Sequence, residues 1–172
     1  INMDPLAKVQ NQKLRMYDEE VAYNKRGSVE LALNNNLADK VALVKMYPGI
    51  ETEVLDLYID NGYDGIVIEG TGLGHCSDNL YDSIARANDE KIPVVITSQC
   101  VYGHTNLNVY SSGRRLLQNN VIPVGDMITE TAYTKLLWAA GQTDDIAEIR
   151  SIMQTNLKGE MKDTLSQNYF RN

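Results

Sequence analysis

The sequence predicts an α/β fold, a three-layer sandwich in which helices cover both faces of a parallel sheet of about four strands. The first observation is a rhythm that begins at Lys40, where short apolar runs alternate with segments whose apolar residues recur at helical spacing. The second is that these runs are apolar at consecutive positions, as strands are when both faces of a parallel sheet are buried. The third is the length of 172 residues, enough for one domain of ordinary size plus an extension.

Apolar, β-branched-rich segments bounded by turn residues are predicted to be the strands of this sheet. They read "KVALVKMY", "GIVIEG", "IPVVITSQ" and "VIPVG". The segments predicted to be helices read "TEVLDLYIDNG", "SDNLYDSIARAND", "SGRRLLQNN", "TETAYTKLLWAAG" and "TDDIAEIRSIMQTN". Thr52, Thr129 and Thr143 are the expected N-caps of the first, fourth and fifth helices, and Ser77 or Asp78 that of the second.

Residues 1–38 differ from the rest because they are polar and rich in asparagine. Alternating apolar residues in "KVQNQKLRMY" and "VELAL" predict short strands or a hairpin there. We interpret residues 1–38 as an interdomain linker or peripheral β-ribbon and residues 39–172 as the main domain. The chain begins with Ile1 and lacks a signal-peptide pattern, which suggests a piece of a longer polypeptide.

Composition limits the classes of function. Hydrophobic residues make up 43% and charged residues 23%, which is typical of a soluble globular protein, and no apolar run is long enough to span a membrane. The net charge of -7 argues against direct binding to nucleic acid, although a partner subunit could carry a basic surface. Two cysteines are too few for a disulfide framework and indicate a reducing compartment.

Chemistry is expected in two loops at the carboxyl edge of the sheet, where open parallel sheets bind ligands. The first loop runs from Glu69 to Asn79 and the second from Ser98 to Asn108. Together they contain both cysteines and both histidines of the chain, which makes them the most informative part of the sequence.

Three interpretations of these loops carry little weight. A dinucleotide site needs G-x-G-x-x-G, but His75 or Ser77 stands where the third glycine belongs. A metal site would have to use His75, Cys76, Cys100 and His104, which lack a C-x-x-C pair, so we predict no metal. A thiolate pair of Cys100 with a histidine has no supporting local context, and buried structural thiols remain the simpler interpretation.

The glycine loop fits the rim of a small-molecule pocket better, because glycines allow backbone amides to approach a ligand closely. Asn79 could bind a carboxylate or amide near a helix N-terminus, and plain helix capping is the alternative. Glu69 could hold an ammonium group, and a salt bridge to a nearby Lys or Arg is the alternative.

A series of long, ordered motifs resembles a known family. These are "GIVIEGTGLGH", "NLYDSI", "PVVITSQCVYGHTNLNVYSSGR", "VIPVGDMITETAYTKLLWA" and "NLKGEM", which together span roughly Lys40 to Met161. They resemble the C-terminal domain of type I (cytoplasmic) L-asparaginases, and most closely the asparaginase-like module in the D-type subunit of archaeal glutamyl-tRNA(Gln) amidotransferase. Residues 39–172 would then be an asparaginase-like C-terminal domain.

The resemblance implies a cytoplasmic, two-domain amidohydrolase whose threonine nucleophile lies in another domain. Neither T-G-G-T nor G-T-D-T occurs here, so no catalytic residue is expected in this chain, which alone should be inactive. The domain would line the cleft of a second copy across a homodimer interface. In the amidotransferase, the D-type subunit releases ammonia from glutamine, and the E-type subunit uses it with ATP and Mg²⁺ to convert Glu-tRNA(Gln) to Gln-tRNA(Gln). This chain would thus need no cofactor and would meet tRNA only through its partner.

The same resemblance implies particular site residues. The family's substrate-binding asparagine falls on Asn79, and an acidic substrate-binding residue of periplasmic relatives falls near Asn106. Together with His75 and Glu69, these are our predicted substrate-binding residues. An allosteric asparagine site of bacterial relatives falls on the stretch Ser98, Gln99 and Cys100, but Glu69 stands where those relatives have its arginine, and an acidic group there would repel a carboxylate.

Two alternative functions stay open from the sequence. The chain could be the same domain of a free cytoplasmic type I L-asparaginase, because the small domain hardly distinguishes the two proteins. It could also be a non-catalytic dimerisation or ligand-sensing domain.

Overall fold

The computed structural model describes residues 7–16, 27 and 30–162, and the chain divides into two units, Ile1–Asn35 and Asn36–Asn172. In the first unit, β1 (Ala7–Gln10) and β2 (Lys13–Met16) form an antiparallel hairpin. Its two-residue turn has positive φ at both Asn11 and Gln12 (51° and 62°), as a tight hairpin requires. The predicted hairpin is confirmed, whereas its role as linker or ribbon stays a prediction.

The predicted strand in "VELAL" is wrong over residues 30–33, which have no regular secondary structure. Val29 lies outside the described residues. Leu31 and Leu33 are 96% and 84% exposed, so the alternation of apolar residues there is not matched by burial.

The second unit contains a parallel sheet with the order β3–β4–β5–β6. Its strands are β3 (Val41–Lys45), β4 (Gly65–Gly70), β5 (Val94–Ser98) and β6 (Ile122–Pro123). Its helices are α1 (Glu53–Asp60), α2 (Tyr81–Asp89), α3 (Ser111–Gln118), α4 (Thr129–Ala140) and α5 (Ile146–Gln154), and a 3₁₀ turn (Asp78–Leu80) precedes α2. The predicted α/β sandwich is confirmed.

Two separate apolar clusters form the three layers. On one face of the sheet, α1 and α2 pack with Leu55, Ile59 and Ile84 against the strands. On the other face, α4 and α5 pack with Leu136 and Met153. The approach of α4 is close, since a Cβ at Gly65 in β4 would lie 2.8 Å from Leu136 Cδ2. None of the helices in the described part of the chain has the length and apolar character of a membrane span.

Three of the predicted helix caps are wrong. Helix α2 has Leu80 at its N-cap position instead of Ser77 or Asp78, because a 3₁₀ turn precedes the helix. Helix α4 begins after Ile128, and the hydroxyl of Thr129 lies 3.0 Å from that of buried Thr97 instead of capping the helix. Helix α5 is capped by Asp145, whose carboxylate accepts from the Ala147 amide at 2.8 Å, because the helix begins at Ile146, three residues after Thr143. Thr52 does occupy the N-cap position of α1 but makes no capping hydrogen bond with its side chain.

Candidate functional site

The carboxyl edge of the sheet gathers the predicted site, because four parallel strands end there. Segment 71–80 follows β4, and segment 99–110 follows β5. A third segment, 46–52, connects β3 to α1 at the same edge. The two predicted loops therefore do lie on neighbouring strands, and they contact each other directly, since the Asn106 amide donates to the Leu73 carbonyl at 2.9 Å.

The glycine loop is a closed turn. Thr71 and His75 form an isolated bridge in which each amide donates to the other's carbonyl at 2.8 Å. Gly74 has a φ of 92°, and a Cβ at Gly70 would lie 2.9 Å from the His75 carbonyl oxygen, so both positions require glycine. Because the amides of Thr71, Gly74 and His75 donate inside the turn, they are not free to surround a phosphate.

Asn79 lies on the 3₁₀ turn and caps no helix, since Ser77 and Leu80 hold the cap positions of this turn and of α2. Its Nδ2 donates instead to the Ile50 carbonyl at 2.9 Å. The capping alternative is therefore wrong. Its substrate-binding role stays a prediction.

Glu69 is the penultimate residue of β4 and pairs with Lys45, the last residue of the neighbouring strand β3. The Lys45 Nζ lies 3.0 Å from the Glu69 carboxylate, and the two side chains are 65% and 19% exposed. The structure thus contains the salt bridge that was the alternative to ammonium binding. An incoming ammonium group would have to share this carboxylate with Lys45.

His75 joins the glycine loop to the start of α3. Its Nδ1 lies 3.3 Å from the Ser112 hydroxyl, and its ring packs edge-on against Tyr110 with ring centroids 5.4 Å apart. Its Nε2 is buried without a hydrogen-bond partner in the described part of the chain. This nitrogen is the one polar atom of the predicted residues that remains buried and unsatisfied in that part of the chain.

Asn106 is exposed on the second loop, and its Oδ1 accepts from the Asn108 amide at 3.2 Å. The neighbouring Thr105 is buried and donates through its hydroxyl to the Gly125 carbonyl at 3.2 Å. Asn106 is therefore exposed on an anchored loop, and its substrate-binding role stays a prediction.

The predicted regulatory stretch is occupied by internal contacts. The Ser98 hydroxyl donates to the Gly72 carbonyl at 2.6 Å and accepts from the Cys100 amide at 3.0 Å. The Gln99 Nε2 donates to the carbonyls of Met46 and Glu69 at 2.6 and 3.0 Å. Cys100 is exposed and free. A regulatory site at these residues stays a prediction.

The cysteines and histidines of the two loops have different surroundings. Cys76 packs against the core, and burial, followed by the nearby Asp78 carboxylate, raises the pKa of its thiol to about 12. The His104 Nδ1 lies 2.8 Å from the Thr105 carbonyl oxygen. Within residues 7–16, 27 and 30–162, no three His, Cys, Asp or Glu side chains come together as metal ligands would.

Sequence reasoning missed the segment after β3. Met46 and Ile50 supply the carbonyls that Gln99 and Asn79 contact, so this segment belongs to the same edge of the site. The sequence "KVALVKMY" predicts only a strand that ends at a turn. The signal that could have found it is positional, since every strand of a parallel sheet delivers a loop to the carboxyl edge.

Comparison with known proteins identifies the family of this chain. Residues 40–153 match the glutaminase/asparaginase C-terminal domain. The chain is 70% identical over 170 residues to the D-type subunit of glutamyl-tRNA(Gln) amidotransferase from Methanosphaera stadtmanae, a match that covers 99% of this chain and 39% of that protein. It is 51% identical over 162 residues to the protein of the same name from Pyrococcus horikoshii, covering 94% of this chain and 36% of that protein.

Solved structures give the same fold. The thermostable L-asparaginase from Thermococcus kodakarensis superposes with a TM-score of 0.83 at 35% identity, over 95% of this chain and 49% of its own. L-asparaginase I from Vibrio cholerae superposes with a TM-score of 0.82 at 26% identity. The match covers 94% of this chain and 48% of the Vibrio cholerae chain. The chain thus spans less than half the length of these relatives. It belongs to the glutaminase/asparaginase C-terminal domain family.

Proposed function

We propose that this chain is the C-terminal domain of a D-type subunit of glutamyl-tRNA(Gln) amidotransferase, and that it helps this protein release ammonia from glutamine. The observation that carries the proposal is the 70% identity to the Methanosphaera stadtmanae protein over 99% of the chain. Identity to the Thermococcus kodakarensis L-asparaginase is half of that, 35%. The chain covers 39% of the length of the first relative, so the rest of the active site would come from the remaining part of the protein.

In this proposal the domain binds substrate without attacking it. One amide proton of the Asn79 Nδ2 is used in the contact with Ile50, which leaves Oδ1 to accept a hydrogen bond and the second proton to donate one. The acceptor suits the α-ammonium group of glutamine, and the remaining donor suits its α-carboxylate. Asn106 on the opposite loop adds a neutral polar group, and Glu69 adds negative charge that Lys45 partly balances.

The nucleophile would lie outside this chain. The resemblance implies a threonine in T-G-G-T or G-T-D-T, and neither motif occurs in the 172 residues. The Cys76 thiol is a poor substitute, because a pKa of about 12 leaves almost no thiolate at neutral pH. Residues 1–172 alone are therefore expected to release no ammonia.

The proposed assembly is a cytoplasmic homodimer that works with the E-type amidotransferase subunit. ATP and Mg²⁺ would be used by the E-type subunit, which would also bind the tRNA. The net charge of -7 fits a protein that leaves contact with the tRNA phosphates to its partner.

The test is an ammonia assay on the full-length D-type subunit with and without the E-type subunit and Glu-tRNA(Gln). We expect release of ammonia from glutamine that depends on the partner and its tRNA, and no release by residues 1–172. Efficient glutamine hydrolysis by the isolated chain, or none by the complete assembly, would contradict the proposal.

A free L-asparaginase is the second candidate, favoured by the TM-score of 0.83 with the Thermococcus kodakarensis enzyme. It predicts faster hydrolysis of asparagine than of glutamine, with no effect of the E-type subunit or tRNA. The same assay with both amino acids separates the two functions.

A further inference from the structure

The turn that follows β3 is exposed between two buried residues. Tyr47, Pro48 and Gly49, which we call the Tyr47–Gly49 turn, face solvent, and the Tyr47 side chain is 55% exposed. Met46 and Ile50 on either side are only 5% and 2% exposed. The turn is therefore anchored at both ends and presents an aromatic ring at the carboxyl edge of the sheet.

The first end of the turn is held by Gln99. Its single Nε2 group donates one hydrogen bond to Met46 and another to Glu69, so both amide protons are used. The Gln99 backbone amide also donates to the Gly70 carbonyl at 2.8 Å. Gln99 thus joins the ends of β3 and β4 to its own loop after β5.

The second end of the turn is held by Asn79, whose Nδ2 donates to the Ile50 carbonyl at 2.9 Å. Asn79 and Gln99 come from the two different loops of the candidate site. The position of the Tyr47–Gly49 turn is therefore fixed by both loops at once.

We propose that the Tyr47–Gly49 turn forms a third wall of the candidate site, and that Gln99 is the positioning residue that holds this wall against the other two. The inference rests on the proposed function for its substrate, glutamine. A rigid turn with an exposed tyrosine gives the site a surface for substrate contact at little entropic cost, because its backbone is already fixed in place. Gln99 then acts through backbone carbonyls and does not itself touch the substrate.

The experiment substitutes Gln99→Met in the full-length D-type subunit, assayed together with its E-type partner. Methionine keeps the length and volume of the side chain and removes both donors. We expect KM for glutamine to rise by about tenfold, the effect of roughly one net hydrogen bond, with kcat within about twofold.

Gln142→Met is a matched control. The Gln142 Nε2 also donates to two backbone carbonyls, those of Asn36 and Trp138 at 2.7 and 3.0 Å. Gln142 follows the carboxyl end of α4, at the opposite edge of the sheet. The two variants should lose similar thermal stability, but Gln142→Met should leave KM unchanged.

A Tyr47→Ala variant and the Tyr47→Ala/Gln99→Met double variant test the wall itself. If Gln99 acts by positioning this turn, the effect of Tyr47→Ala on KM should shrink when Gln99 is already methionine. Additive effects, or a Gln99→Met enzyme with unchanged KM, would overturn the proposal.

Amide hydrogen exchange of the peptide spanning residues 46–50 separates this inference from the proposed function. We expect Gln99→Met to speed exchange there by about tenfold relative to Gln142→Met. If the unmodified assembly releases no ammonia from glutamine, the proposed function fails, and exchange alone then decides whether Gln99 holds the turn. Equal exchange rates in the two variants would overturn the proposal that Gln99 holds the turn.

Discussion

The carboxyl edge of the sheet and the junction between α4 and the segment after α5 are both held by polar contacts that are at least partly buried, but of different kinds. At the edge, the neutral amides of Gln99 and Asn79 donate to backbone carbonyls. At the junction, Lys135 Nζ lies 2.6 Å from the Glu160 carboxylate, and these side chains are 6% and 14% exposed. Neutral contacts keep their strength over a wide pH range, whereas the buried ion pair depends on two charges.

The two regions also differ in how many of their polar side chains are exposed to solvent. Lys135 also donates to the Thr155 carbonyl at 2.5 Å, and Glu160 accepts from the amides of Leu157 and Lys158 at 3.0 and 2.6 Å. The charged groups of Lys135 and Glu160 are thus used in internal contacts, although the same two residues also line an open cleft of about 370 Å³. The carboxyl edge leaves Asn106 and Tyr47 exposed beside its internal contacts. We therefore expect substitutions at the junction to act on stability, and we propose that substitutions at the edge act on binding.

The largest expected effect is that of Lys135→Met on stability. It leaves the Glu160 carboxylate largely buried without its cation, which should lower the free energy of unfolding by about 3 kcal/mol. Urea denaturation at pH 7 measures this. The Lys135→Met/Glu160→Gln double variant should recover part of the loss, because it no longer buries an unpaired charge. A loss below about 1 kcal/mol would contradict the importance of the pair.

A loss of stability in acid is the next effect. Burial by itself would raise the pKa of Glu160, but hydrogen bonds from Lys135, Leu157 and Lys158 outweigh burial and lower this pKa to about 2. Because the folded pKa lies below the unfolded value, the carboxylate stabilises the fold above about pH 4.5, and this contribution is lost as the pH falls toward 2. We expect this contribution to be about 2 kcal/mol at neutral pH, with allowance for screening of the charges by solvent.

The measurement is the difference in unfolding free energy between the unmodified chain and Glu160→Gln from pH 7 to pH 2. This difference should shrink as the pH falls, because only the unmodified chain has a carboxylate to protonate. A difference that stays constant with pH would show that the charge of Glu160 does not stabilise the fold.

At the carboxyl edge, Asn79→Ala should act on kinetics. In the full-length D-type subunit we expect kcat/KM for glutamine to fall by the equivalent of about 1.5–3 kcal/mol, the value of a hydrogen bond to a charged group. Asn79→Asp retains acceptors for an ammonium group but loses the donor to Ile50, so it separates substrate contact from the support of the turn. If Asn79→Ala lowers only stability, substrate contact is excluded.

Much of the scaffold could be predicted from the sequence. Consecutive apolar residues such as Ile66, Val67 and Ile68 indicate a buried parallel strand, and all three are fully buried. The position of the two site loops followed from the same rule of strand ends. These predictions succeeded because they depend on local patterns that tertiary structure reinforces.

The contacts within the site could not be predicted in the same way. Gln99 and Met46 are 53 positions apart, and nothing local to either residue indicates that one side chain will meet the other's carbonyl. The helix caps failed for a different reason. A shift of one or two residues in a helix start transfers the cap to another residue, as at Thr143 and Asp145.

The smallest expected effect concerns the cap of α5, which lies at the opposite edge of the sheet from the site. Thr143 and Asp144, just before the start of α5, line a cleft of about 280 Å³ with Asp64 and Pro93, which precede β4 and β5. Asp145→Ala removes the capping carboxylate and should lower the free energy of unfolding by about 1 kcal/mol.

Thr52→Ala is the comparison for this cap, because Thr52 stands at the N-cap position of α1 without accepting a capping hydrogen bond. Thr52→Ala should lower the free energy of unfolding by no more than about 0.5 kcal/mol. Thermal unfolding of both variants measures the contrast, and KM for glutamine in the full-length protein should be unchanged by Asp145→Ala. A change in KM with Asp145→Ala would mean that the opposite edge of the sheet also affects substrate binding. The division between a stabilising region and a binding region would then no longer hold.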